Sequence, residues 1–87
     1  MLPFMDSTLK RWHKFDHAGR RFRILIEQRE RYGVSDWAVV KVDEVISNEE
    51  VRCFRLSAEF SAPTEARVLR ATQQEIATIV HTTKQRE

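Results

Sequence analysis

Between Phe22 and Phe60 apolar side chains fall mostly at every second position; beyond Pro63 they fall three and four apart instead. The first spacing belongs to strands with one buried face, the second to a helix with one apolar stripe. A chain that changes period once, in that order, is led toward a sheet closed by a single C-terminal helix. The sequence thus predicts an α+β domain: a three-stranded antiparallel sheet packed against a C-terminal helix.

In RRFRILIEQR, Phe22, Ile24 and Ile26 alternate with Arg21, Arg23, Leu25 and Glu27, the period of a half-buried strand. A polar turn around Gly33 leads into WAVVKVDEVI, rich in β-branched residues, with Ala38, Val40 and Val42 expected inward and Lys41 and Asp43 outward. SNEE at 47–50 is the next turn. The third strand, VRCFRLSAEF, sets Phe54, Leu56, Ala58 and Phe60 against Cys53, Arg55, Ser57 and Glu59.

The helix is expected to open at SAPTEA, with Ser61 as its N-cap, Pro63 in the first turn and Glu65 at the positive end of the dipole. At 100° per residue Ala62, Ala66, Leu69, Gln73, Ile76, Ala77 and Val80 form one stripe, which should lie on the sheet. Val68 and Ile79 flank that stripe with Thr72 between them. Two readings of this flank stand side by side. The N-terminal segment, through Phe4, Leu9 or Trp12, covers it, or it is a contact surface for a second copy of the chain.

The first nineteen residues carry the weakest pattern. Asp6 or Ser7 could cap a short helix through about Lys14, with Met5, Leu9 and Trp12 along one side. The alternative is an extended arm turned into the next strand by DHAG at 16–19. The chain therefore divides into an N-terminal segment at 1–19, a β-β-β-α domain at 20–82 and a fraying C-terminus at 83–87.

Eighty-seven residues fit one domain. Fifteen Lys plus Arg against thirteen Asp plus Glu leave a net charge of +2, short of the dense positive field of a dedicated nucleic-acid binder. Cys53 is the only cysteine, so no intrachain disulfide can form; a reducing compartment, the cytoplasm, is expected. No apolar run is long enough to span a membrane, and MLPFMDSTLKRW lacks the pattern of a secretory signal.

Few residues suggest site chemistry. His13 and His17 would share a face on a helix, a minimal metal pair, but only His81 and Cys53 remain as further ligands and both are distant in sequence; no metal site is expected. With only Gly19 and Gly33 there is no phosphate-binding glycine loop. Carboxylates at 27, 43, 44 and 59 alternate with basic residues as cross-strand ion pairs would. No cofactor, small-molecule substrate or enzymatic activity is expected. The polar features with binding potential are Arg20, Arg21 and Arg23 on the first strand, and Arg67, Arg70 and His81 on one side of the helix, suited to an anion or a phosphate backbone.

The order of short helix, three strands and C-terminal helix resembles a double-stranded-RNA-binding domain, and SAPTEARVLRATQQEIATIV is similar to that family's last helix. Ala62, Pro63 and Thr64 stand where the family carries phosphate-binding lysines, and only Arg67 matches a basic position. A closer resemblance, over residues 20–80, is to small bacterial β-β-β-α proteins of unknown function, with a strand like RRFRILIE, a Trp-led strand like WAVVKV and a Ser-capped helix with Glu-Ala in its first turn. That resemblance implies a fold and no activity.

The leading expectation is a non-enzymatic cytoplasmic interaction module that forms a homodimer, through Val68, Thr72 and Ile79 or through an open strand edge. The second is nucleic-acid binding through Arg20, Arg21, Arg23, Arg67, Arg70 and His81.

Overall fold

Two tight turns set the register of the sheet. Ala18–Gly19 and Tyr32–Gly33 each place two successive residues at positive φ, 53° and then 76°, the conformation of the two-residue hairpin turn whose twist matches the strands it joins. They connect β1 (Lys10–His17), β2 (Arg20–Arg31) and β3 (Val34–Val45) into an antiparallel meander. The computed structural model describes the backbone of residues 9–86. Within it, β4 (Val51–Cys53) and β5 (Ser61–Ala62) both pair with β3, and α1 (Glu65–Arg86) follows.

The architecture is the expected α+β arrangement of an antiparallel sheet and one C-terminal helix. Among the described residues the sheet has five strands, in the order β1-β2-β3-β4 with β5 on β3, where three were expected. The added outer strand is β1, so residues 10–14 are extended where a short helix was one of two readings. The capping residues Asp6 and Ser7 and the packing residues Phe4 and Met5 lie outside the described residues.

The expected third strand is interrupted. Its first part pairs Asp43 with Cys53, and Phe54 N–H still donates to Val42 C=O at 2.8 Å. The chain then leaves the sheet and returns where Val39 N–H donates to Phe60 C=O at 3.1 Å, continuing as β5 opposite Trp37 and Ala38. On its other side β3 carries a bulge against β2: Leu25 faces Lys41, but Ile26 faces Val39. Val40 is the extra residue and is 44% exposed instead of inward, and the bulge moves Val39 and Trp37 to the core side.

Helix α1 lies on the face that carries Phe22, Ile24, Ile26 and Val42. The cap is Thr64 rather than Ser61: its Oγ1 accepts from Arg67 N–H at 3.3 Å, and its carbonyl accepts the first helical bond from Val68 N–H at 3.2 Å. Pro63 thus precedes the cap, and the helix runs to Arg86, beyond residue 82. The buried stripe is Val68, Thr72, Ile76 and Val80, four apart throughout. Val68 and Thr72, expected at the flank, belong to this stripe, each at 0% exposure, and Ile79 is half-buried. Fully burying a side chain such as Phe22, Ile24, Ile26, Val42, Val68 or Ile76 contributes about 1.5–3 kcal/mol, so these residues decide whether the chain folds.

Candidate functional site

The feature most open to a partner is the free side of β1. Leu9 C=O accepts from Gln28 N–H at 2.9 Å, and the same register runs on through Lys10↔Glu27 to His17↔Arg20. In an antiparallel pair the residues bonded across alternate, so odd positions of β1 turn their backbone groups to β2. The N–H and C=O of Lys10, Trp12, Lys14 and Asp16 therefore point away from the sheet, and β1 pairs with no other strand among the described residues. Four outward-facing residues along an eight-residue strand make a ready template for another strand.

Side chains divide by parity. Arg11, His13, Phe15 and His17 stand on the helix side; Lys10, Trp12, Lys14 and Asp16 stand on the opposite face with Arg21, Arg23, Leu25 and Glu27 of β2. On that open face Trp12 is 48% exposed, with the Arg23 guanidinium 4.5 Å and Lys41 Nζ 5.6 Å from its ring centre. Both cations also reach the carboxylate of Asp43, at 3.0 and 3.5 Å, and Asp43 is only 5% exposed. This network fixes Trp12 beside the free edge.

On the helix side β1 is tied down at both ends. Glu65, in the first turn of α1, accepts from Arg11 Nη1 at 3.2 Å and from His13 Nε2 at 2.9 Å. A carboxylate can only accept, so His13 carries its proton on Nε2. At the other end His17 Nε2 lies 3.1 Å from His81 Nε2, with the rings edge to face. His13 and His17, four apart on a strand, are about 13 Å apart along the chain and do not form the pair that a helix would have made.

The arginines singled out in the sequence do not assemble into one patch. Arg20 donates through Nε and Nη2 to both oxygens of Glu44, at 2.8 and 2.7 Å. That bond raises the Arg20 pKa and holds the Glu44 carboxyl below its ordinary value, against the opposing effect of burial. Arg23 is held by Asp43. Arg21 is exposed on the open sheet face beside Asp16, while Arg67 and Arg70 line a shallow hollow with Ala66, Ala71 and Gln74 on the helix. The helix covers the other face of the sheet, so Arg21 and Arg23 look away from Arg67 and Arg70, while Arg20, opposite His17, stands on the helix side and is held there by Glu44.

Val68 and Thr72 are closed off by the chain's own sheet and offer nothing to a second copy. Cys53 is exposed and unpaired on the open face. Among the described residues no helix is long and apolar enough to cross a membrane. Comparison with known proteins finds no match: no family model, no curated protein and no solved structure is significantly similar to the chain.

Proposed function

We propose that the chain is a non-enzymatic, cytoplasmic interaction module that self-associates by joining the free edge of β1 to the same edge of a second copy. The observation that carries this reading is the outward-facing backbone of Lys10, Trp12, Lys14 and Asp16, a complete hydrogen-bonding row without a strand beside it among the described residues.

Charge selects one register. A two-fold antiparallel pairing centred on His13 sets Lys10 against Asp16, Trp12 against Lys14 and Arg11 against Phe15. Each of these is an ion pair or a cation beside an aromatic ring. Sliding one way opposes Lys14 to Lys14; sliding the other way opposes Lys10 to Lys14. Lysines on an edge strand ordinarily discourage pairing. Here the same lysines reject every neighbouring register and leave one in which their charge is answered. The contact is isologous, as a homodimer requires.

A duplex-binding role is the weaker reading, because Arg20 and Arg23 are engaged by carboxylates and Arg21 faces away from Arg67 and Arg70.

Sedimentation equilibrium on the wild type and on Lys14→Pro tests the proposal. The Lys14 N–H points away from β2, so proline there leaves the β1–β2 ladder intact while removing a donor from the free edge. A dimer at high micromolar concentration that becomes a folded monomer in Lys14→Pro is expected. A wild type that stays monomeric, or a folded Lys14→Pro that dimerises equally well, overturns the assignment.

A further inference from the structure

We propose that His17 and His81 form a site for one divalent transition-metal ion of the imidazole-preferring kind, Cu²⁺ ahead of Ni²⁺ and Zn²⁺. The two Nε2 atoms are 3.1 Å apart although the residues are 64 positions apart in sequence. Metal–imidazole bonds of about 2.0–2.1 Å meeting at about 90–110° separate their nitrogens by about 2.9–3.4 Å. The observed separation falls inside that range, and the ring centres are 5.1 Å apart.

The surroundings favour this use. His17 is stacked on Phe15, with ring centres 5.8 Å apart and planes within 17°, which orients its imidazole toward the helix. His81 lies in the C-terminal third of α1, which ends at Arg86. The cation nearest in register is Arg20, opposite His17, and Glu44 neutralises it. His13 differs in that Glu65 already holds its Nε2. No group of three or more His, Cys, Asp or Glu is gathered for a metal among the described residues, so the other coordination positions fall to water or an outside ligand. Two imidazoles with open positions suit Cu²⁺ best in the general affinity order of these ions.

A bound ion would join the end of β1 to the last turns of α1. It therefore stabilises the folded chain. The site does not depend on the pairing of β1 edges: Lys14→Pro should bind metal as the wild type does, so failure of one assignment is separable from failure of the other.

The test is calorimetric titration of the full chain with Cu²⁺ and Ni²⁺ at neutral pH, alongside His17→Ala, His81→Ala and the control His13→Ala. One ion per chain is expected, with a melting temperature that rises with metal concentration. Either His17→Ala or His81→Ala should weaken binding by more than the roughly 10–100-fold that loss of an outer-sphere partner costs, and His13→Ala should not. In the wild type, independent of any variant, Ni²⁺ should broaden the ring resonances of His17 and His81 before those of His13. Undiminished affinity in both variants, or broadening centred elsewhere, overturns the proposal.

Discussion

Thr72 Oγ1 donates to the carbonyl of Val68, one turn earlier in α1, at 2.8 Å, and both residues are completely buried. The bond allows a hydroxyl to occupy the middle of an apolar stripe, because its donor is satisfied inside the helix. Thr72→Val should therefore change stability by no more than about 1 kcal/mol, since the Val68 carbonyl keeps its helical N–H partner. Val68→Ala should cost about 2 kcal/mol through lost burial and a residual cavity, and Val68→Glu should unfold the chain. Urea denaturation followed by circular dichroism measures all three. A folded Val68→Glu chain would be incompatible with the core described above.

The Arg20–Glu44 pair sets a pH dependence. A carboxyl held below its ordinary value contributes stability that is fully present above the unfolded range, about 4.3–4.5, and disappears as pH falls through the folded value. Arg20 stays protonated throughout that window, so its raised pKa adds nothing to the slope there. Glu44→Gln should cost about 1 kcal/mol at neutral pH, a modest figure because Arg20 is more than a third exposed. The difference between the two proteins should vanish on acidification below the normal glutamate range. Unfolding midpoints compared across pH 2–7 give the answer (about 1 kcal/mol to zero).

Both hairpins hold a residue with a Cβ in the left-handed region, Ala18 and Tyr32, each at φ 53°. Asparagine tolerates that conformation better than either. Ala18→Asn should stabilise by about 0.5 kcal/mol. Gly33→Ala, with no atom within 4 Å of the added Cβ, should cost about 1–2 kcal/mol from backbone conformation alone. Thermal melting of the two variants checks the sign of each change.

The proposed edge register makes a charge-exchange prediction. Lys10→Asp and Asp16→Lys should each weaken self-association, and the double variant should restore it. Sedimentation of the four proteins reads the coupling as a non-additive change in dimer affinity. Each single change also places like charges opposite Glu27 or Arg21 within the chain's own sheet, so the folded state of each is verified first by circular dichroism.

The sheet–helix layering was legible because Phe22, Ile24 and Ile26 alternate cleanly and Ile76 and Val80 recur at helical spacing. Strand β1 was not, because its inner positions are Arg11, His13, Phe15 and His17. Only Phe15 is apolar; its neighbours answer Glu65 and His81 rather than the core, so no period-two hydrophobic signal exists. The phase of the helix is concealed for a related reason: Thr72 reads as polar in sequence, but its hydroxyl bonds the Val68 carbonyl. The break after Cys53 is hidden because Phe54, Leu56, Ala58 and Phe60 keep the alternation through it. The meeting of His17 with His81 required the extended form of β1, so no local pattern could have signalled it.

The interrupted partner of β3 limits what the sheet can become. With β4 and β5 laid along one margin and the stretch between them wandering off the ladder, that side gives an incoming chain no continuous row to follow. Growth is confined to the opposite margin, and two molecules meeting there use up each other's capacity to recruit a third. Such an assembly closes at a pair and does not propagate as a fibre.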